Sequence, residues 1–296
     1  MAGMSFWRWV VLILSGAGLY SVANYSAEIA TVRDRKRIFQ EKPFWAIAHR
    51  GFSGVYPENT MIAFEKAAEL PIDAIELDVH STKNGKLVVI HDATLDRTTN
   101  LSGRIVDYSA EELLRADAGY HFDPSNNRSF PFRGQGIKIP LLEELFQRFP
   151  QKRFIIEIKQ TMPAIEEILL PLIQKYGMEG KVIVASEHYE PLTRIRAMDS
   201  SIATNLSSIE AREFYRLFRI RLSGFYKSNG DALQIPDSYR GEKVVTQAFV
   251  DAIHRKGLIL HIWTVNETKD MKQLIDYGVD GIITDYPDRL IEVISK

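Results

Sequence analysis

Residues 74–92 read Ala-Ile-Glu-Leu-Asp-Val-His-Ser-Thr-Lys-Asn-Gly-Lys-Leu-Val-Val-Ile-His-Asp. Glu76, Asp78 and His80 alternate with apolar residues, and His91-Asp92 closes the stretch. Carboxylates are hard oxygen donors for a divalent cation, and an imidazole titrating near neutrality serves as a general acid or base. Asn84-Gly85 between two apolar-rich runs predicts a two-residue type I′ turn, since both central residues need positive φ. On that register Thr82 faces Leu87, His80 faces Val89 and Asp78 faces His91. Opposed residues share a sheet face, and Glu76 joins them through the period of two. The plain alternative is the exposed polar face of an edge hairpin.

From Phe44 onward strand and helix patterns alternate. Strands are expected at 45–49, 74–79, 86–91, 154–159, 181–186, 201–205, 231–235, 258–263 and 281–284. Helical patterns lie near 60–70, 163–176, 189–198, 209–222, 245–256, 268–276 and 286–294. One strand is the hairpin's return arm, which leaves eight for a parallel α/β (β/α)8 TIM barrel of the usual size of about 250 residues. A doubly wound sheet is the alternative, but no Gly-rich phosphate fingerprint follows the first strand. In a barrel, chemistry sits at the C-terminal strand ends. Those ends carry His49-Arg50-Gly51, Glu76, Asp78, His91-Asp92, Glu157, Lys159, Ser186, Gln234, Trp263 and Asp285. Charges inside apolar strands are costly unless paired or liganded, so their convergence points to a site.

Residues 44–296 resemble the glycerophosphodiester phosphodiesterase family. The likeness rests on His49-Arg50-Gly51, Pro57-Glu58-Asn59-Thr60, Glu76-Leu77-Asp78-Val79, Val89-Ile90-His91-Asp92, Ile139 to Glu144, Glu157-Ile158-Lys159, Trp263 to Asn266 and Thr284 to Pro287, all in family order. It implies a TIM barrel that uses a divalent cation, Mg²⁺ or Ca²⁺, to cleave a phosphodiester into an alcohol and a phosphomonoester. Glu76, Asp78 and Glu157 then look like metal ligands, and His49 and His91 like the acid–base pair. Arg50 and Lys159 look like phosphate contacts, and Trp263 flanks the substrate. Glu58 would orient Arg50, and Asn59 or Thr60 would cap the first helix. His80 and His261 read as peripheral; His121, His188 and His254 match no motif.

The 296 residues carry a formal net charge of −1, which argues against a general polyanion binder such as a nucleic-acid protein. There is no cysteine, which excludes disulfides, thiolate catalysis and Cys-ligated zinc. Residues 9–27 carry no charge and approach the length of a membrane span, with Trp7, Trp9, Tyr20 and Tyr25 suited to interfacial belts. Residues 1–43 are therefore expected to form an N-terminal transmembrane anchor and basic linker ahead of the catalytic domain, 44–296. Arg33, Arg35, Lys36 and Arg37 place that domain on the cytoplasmic side; a signal peptide cleaved near Ser21-Val22-Ala23, with export, is the alternative. After the third strand, a small insertion at about 107–147 begins with a capping box at Ser109–Glu112 and is expected to act as a lid or pocket wall. In residues 209–227, Phe214, Leu217, Phe218, Leu222 and Phe225 fall opposite Arg212, Arg216 and Arg219. That suits either an outer barrel helix or a helix at the membrane surface. The second reading resembles the membrane-anchored branch of the family, some of whose members are lysophospholipases D. The partners expected are thus a glycerophosphodiester or lysophospholipid and a membrane; no protein partner is readable.

Overall fold

Trp45 and Ile47 join one apolar cluster while Ala46 and Ala48 join two others. This alternation, repeated along each long strand, turns a row of strands into a barrel with an inner and an outer apolar layer. The computed structural model describes residues 36–296. The strands are β1 Trp45–His49, β2 Ala74–Ser81, β3 Leu87–Val89, β4 Arg153–Ile158, β5 Val182–Ala185, β6 Ala203–Thr204, β7 Ala232–Pro236, a hairpin of β8 Ser238–Tyr239 and β9 Glu242–Lys243, β10 Ile259–Trp263 and β11 Gly281–Thr284. Eight parallel strands pair in the order β6-β5-β4-β2-β1-β11-β10-β7, and β3 lies antiparallel on β2. The ring nearly closes between β6 and β7 through one bridge, Asn205 to Ala232. Arg196 clamps that seam, reaching Glu210 at 2.7 Å, Thr204 at 3.0 Å and the Asn205 carbonyl at 2.6 Å.

The helices are α1 Met61–Ala68, α2 Ala110–Leu113, α3 Leu142–Arg148, α4 Glu166–Lys175, α5 Tyr189–Met198, α6 Ser208–Arg219, α7 Gln247–Arg255, α8 Thr268–Asp276 and α9 Pro287–Ile294. Beneath the strands, Ile38 and Phe39 plug the barrel against Trp45, with Phe39 and Trp45 rings 5.8 Å apart. The same device recurs at three strand starts. Asp73, Asp231 and Asp280 accept the backbone N–H of Ala46, Thr204 and Leu260 on neighbouring strands, and they pair with Lys42, Lys36 and His254. Lys36, read in the sequence as part of a basic flank, is thus tied to the barrel floor.

Three expectations need correction. The hairpin does not turn on two residues. Thr82 and Lys86 close it, with the Gly85 N–H donating to the Thr82 carbonyl, because the Asn84 side chain is drawn to Thr82 and to the start of α2. The register therefore slips by one: Val79 pairs with Val89 and Ser81 with Leu87. In residues 90–141 the excursion forms its own apolar cluster around Leu95, Ile105, Leu113 and Ile139. Its aromatic loop packs outside the β1–α1 connection, where Phe132 meets Tyr56 at 5.8 Å, so it forms no wall of the cavity described below. Finally, the aromatic face of α6 is core. Phe214 is fully buried against Phe249 and Tyr226, and Leu217 and Phe218 pack on the same cluster. The face read as membrane-seeking is occupied by the barrel itself. The expected transmembrane segment lies outside the described residues, among which no helix is long and apolar enough to cross a membrane.

Phe214→Ala should cost about 3–5 kcal/mol in denaturant unfolding, whereas Phe225→Ala, half exposed, should change it by no more than about 0.5 kcal/mol. His261 supplies a pH signature. Complete burial pushes its pKa down to about 4 from 6.5. The unfolded chain takes up this proton near pH 6.5 and the folded chain only near 4, so stability is lost as pH falls through that window. His261→Asn should flatten the pH dependence of unfolding there.

Candidate active site

The period of two that fills the barrel floor also builds its mouth. On β2 the inward row runs Ala74, Glu76, Asp78; on β4 it runs Ile155, Glu157, Lys159. Register sets His49 level with Glu76, and Asp78 level with Glu157. After β1 the chain turns sharply through Arg50 at φ 54° and Gly51 at φ 83°. A Cβ at Gly51 would stand 2.7 Å from the Ala63 backbone, so only glycine allows the loop this close to α1. The turn aims the Arg50 N–H at Glu76 (3.0 Å) and its guanidinium at Glu58 (2.9 Å) and Asp78 (3.2 Å). Asn59 donates to Asp78 at 2.8 Å, and Thr60 caps α1. Glu58 and Thr60 therefore stand where the sequence placed them, while Asn59 serves Asp78 instead of the helix.

Glu76, Asp78 and Glu157 bring one oxygen each within 4.8 Å of one another. Lys159 stands 3.1 Å from Asp78 and 2.8 Å from Glu157. Burial disfavours all three anions, with different outcomes. At Asp78 the Lys159 and Arg50 charges win and its pKa is lowered. At Glu76 burial and the Asp78 charge win and push the pKa up to about 7. Burial likewise raises Glu157, against the pull of Lys159. The three carboxylates thus face Arg50 and Lys159, with His49 Nε2 3.9 Å from Glu76, and Asp78 Oδ1 is buried with no hydrogen bond, 3.1 Å from Lys159. This all-oxygen donor set fits a hard divalent cation.

Two histidines flank the cluster in matching fashion. His49 Nδ1 lies 2.6 Å from Asp285, and His91 Nδ1 lies 2.6 Å from Asp92. An ionised carboxylate only accepts, so each Nδ1 carries its proton and each Nε2 is left for chemistry. Asp285 is fixed by Ser53 at 2.9 Å and Asn266 at 2.8 Å. Burial opposes a charge on His49, but the Asp285 hydrogen bond and the Glu76 charge outweigh it, so its pKa is raised. Asp92 is held down at about 2, against burial, by hydrogen bonds from Arg97 and His91. Because of the register slip, Ile90 and not His91 lies opposite Asp78; its N–H donates to the Asp78 carbonyl. His91 reaches the site from beyond the end of β3, where His80 Nε2 donates to its carbonyl at 3.0 Å. The sequence reading gave no role to Asp92, Arg97, Asp285, Ser53 or Asn266. Asp285 lies 236 residues from its histidine. Asp92 and Asp285 both stood among the strand-end residues, but neither was paired with its histidine.

His49, Arg50, Glu76, His91, Glu157, Lys159 and Trp263 line one cavity of about 590 Å³. Trp263 sits at its rim, 37% exposed. The cavity continues away from the carboxylates past Leu206, Leu233, Val244 and Phe249, and past Arg212 and Tyr215 on α6. His261 lies below it, stacked on Trp45, while His254 pairs with Asp280 at the floor.

A sequence model of the glycerophosphoryl diester phosphodiesterase family matches residues 49–289. A glycerophosphodiester phosphodiesterase of Caldanaerobacter subterraneus is 37% identical over 84% of this chain and 97% of its own length. A lysophospholipase D of Homo sapiens is 29% identical over 82% of this chain and 84% of its own. Among solved structures, an Oleispira antarctica phosphodiesterase in complex with the product sn-glycerol-3-phosphate superposes with a TM-score of 0.67. It is 26% identical and covers 84% of this chain and 96% of that one.

Asp78→Asn removes one anion from the cluster without changing its shape. Calorimetric titration with Mg²⁺ or Ca²⁺ should then show affinity at least ~10-fold weaker, the lower end of what disturbing a metal site costs. Unchanged affinity would remove Asp78 from the ligand set.

Proposed function

The chain belongs to the glycerophosphoryl diester phosphodiesterase family, and we propose that it hydrolyses glycerophosphodiesters to an alcohol and glycerol phosphate with the help of a divalent cation. The observation that carries this is the pair of histidines beside a carboxylate cluster, each with Nδ1 held by an aspartate, and with His49 Nε2 3.9 Å from Glu76. Hydrolysis of a phosphodiester needs one proton removed from the nucleophile and one delivered to the departing oxygen. His49 and His91 supply that exchange: one Nε2 accepts the proton, the other donates it, and a P–O bond forms as the P–O bond to the alcohol breaks. The same pair serves an attacking water directly, or the substrate's own glycerol hydroxyl, which expels the alcohol to leave a cyclic phosphate that a water then opens with the two proton roles exchanged. Arg50 and Lys159 present cationic donors to the phosphate oxygens, and the Arg50 fork can engage two at once. Glu76, Asp78 and Glu157 would hold the cation, Mg²⁺ or Ca²⁺; when bound it neutralises phosphate charge. Trp263 at the rim flanks the glycerol or the alcohol.

A second reading, release of lysophosphatidic acid from lysophospholipids, is favoured by the apolar side of the cavity around Leu206, Leu233 and Phe249. The human relative's name points the same way. Residues 9–27 would tether such an enzyme to a membrane, with the catalytic domain cytoplasmic, or exported if that segment is cleaved. Lys36 and Phe39 pack at the barrel floor, opposite the mouth, so a tether would enter from the closed end.

Glycerophosphocholine should be turned over in the presence of Mg²⁺ or Ca²⁺ and not after chelation. His49→Ala and His91→Ala should each lower kcat by about 10²–10⁴-fold, and the double variant by less than the product, since both act in one transition state. Faster turnover of lysophosphatidylcholine than of glycerophosphocholine would establish the second reading.

A further inference from the structure

Arg97 lies at the root of the excursion after β3 and is nearly half exposed. Its three guanidinium nitrogens are nonetheless all engaged. Nη1 and Nη2 each donate to Glu58 at 2.7 Å, in a two-toothed fork. Nε donates to Asp92 Oδ2 at 2.6 Å, and Nη2 also reaches Asp92 Oδ1 at 3.3 Å. Each carboxylate has a second duty. Asp92 Oδ1 takes the Nδ1 proton of His91, and Glu58 Oε1 takes the Nη1 proton of Arg50. Arg50 in turn contacts Asp78. One exposed arginine therefore closes a chain from His91 to Arg50, two side chains borne on different connections of the barrel.

We propose that Arg97 is a positioning residue that fixes the orientation of His91 through Asp92 and of Arg50 through Glu58. This rests on the hydrolytic reading above. The reasoning is geometric. A carboxylate bonded at one oxygen can rotate about its terminal torsion and carry its partner with it. Arg97 binds the second oxygen of both Asp92 and Glu58, so neither can turn. A planar fork with five N–H donors can hold two carboxylates in fixed relation, whereas a lysine ammonium is a point charge that cannot. Arg97 is nearly half exposed and belongs to none of the apolar clusters, and exposed ion pairs contribute little to stability. The consequence of breaking this one accordingly lies in the site and not in the fold.

The test uses the full chain with Mg²⁺ and two readouts. In steady-state hydrolysis of glycerophosphocholine, Arg97→Gln should lower kcat about 10-fold, less than the loss on removing His91 itself. It should also raise KM severalfold as Arg50 loosens, with Tm nearly unchanged. Arg97→Lys should restore little, and added guanidinium should restore part of the turnover of Arg97→Ala. Independently of activity, the Nδ1–H proton resonance of His91 should broaden or vanish in Arg97→Gln while that of His49, held by Asp285, persists. Retention of the His91 resonance in that variant overturns the proposal, as does loss of both histidine resonances together, which would mark a general disturbance. Wild-type protein that fails to hydrolyse glycerophosphocholine would refute the hydrolytic reading instead, and the resonance comparison would still decide the role of Arg97.

Discussion

Asp78 is the constraint on which the site depends. It is fully buried, and a carboxylate out of water must be met by charge and hydrogen bonds or give up its ionisation. Lys159 comes from the end of β4, Arg50 and Asn59 from the β1–α1 connection, and all three converge on it. Each partner is thereby fixed in turn. Lys159 is drawn between Asp78 and Glu157 and Arg50 between Asp78 and Glu58, while Arg50 and Asn59 both take left-handed backbone. Breaking a buried pair by removing one partner is costly, so this carboxylate orders two loops at once.

The barrel makes such a buried anion tolerable by separating its two ends. At the floor, the inward positions hold Trp45, Ile47, Ile155, Ile183 and Ile283, sealed by Ile38 and Phe39. Two residues further along the same rows the side chains become His49, Glu157, Ala185 and Asp285. Parallel strands bring every C-terminal end to one face, so a single change of residue type per strand converts packed core into a charged cavity. Floor aspartates are handled differently. Asp73, Asp231 and Asp280 each accept a backbone N–H from a neighbouring strand and also meet Lys42, Lys36 and His254 respectively, which ties strands together instead of leaving donor atoms open. Carboxylates at one end of the barrel serve as stitching, and at the other they converge into a cluster that could hold a cation.

What could be read from the sequence divides along the same physical lines. All eight barrel strands and the return arm were legible, because strand alternation and apolar runs are local properties. So was the gathering of Glu76, Asp78 and Glu157, since the period of two and the parallel arrangement place them without further knowledge. The hairpin register was not legible. Asn84-Gly85 carries a strong local turn signal, but the Asn84 side chain is engaged by Thr82 and by the backbone and side chain of α2 residues Ala110 and Glu111, more than twenty positions away. The aromatic face of α6 misled for a related reason. A helix that packs on a barrel and a helix that lies on a membrane share one pattern, and only the partner, Phe249 on α7, distinguishes them. The aspartate behind His49 stood among the strand ends, but no local spacing paired it with a histidine 236 residues away.

The two histidines illustrate how different supports can give one chemical state. His49 stands at the end of a barrel strand, and its aspartate ends the neighbouring strand, so the backbone ladder between β1 and β11 sets their spacing. His91 has no such ladder, since β3 stops at Val89 and is not part of the ring. Its support is instead built from side chains: His80 on its carbonyl, Asp92 on its ring, and Arg97 behind Asp92. The proposed acid–base pair needs imidazoles on two sides of one phosphorus, and the parallel ring supplies only His49. The excursion after β3 is therefore where the chain must add what the barrel geometry does not provide. This accounts for an exposed arginine making so many short contacts at its root.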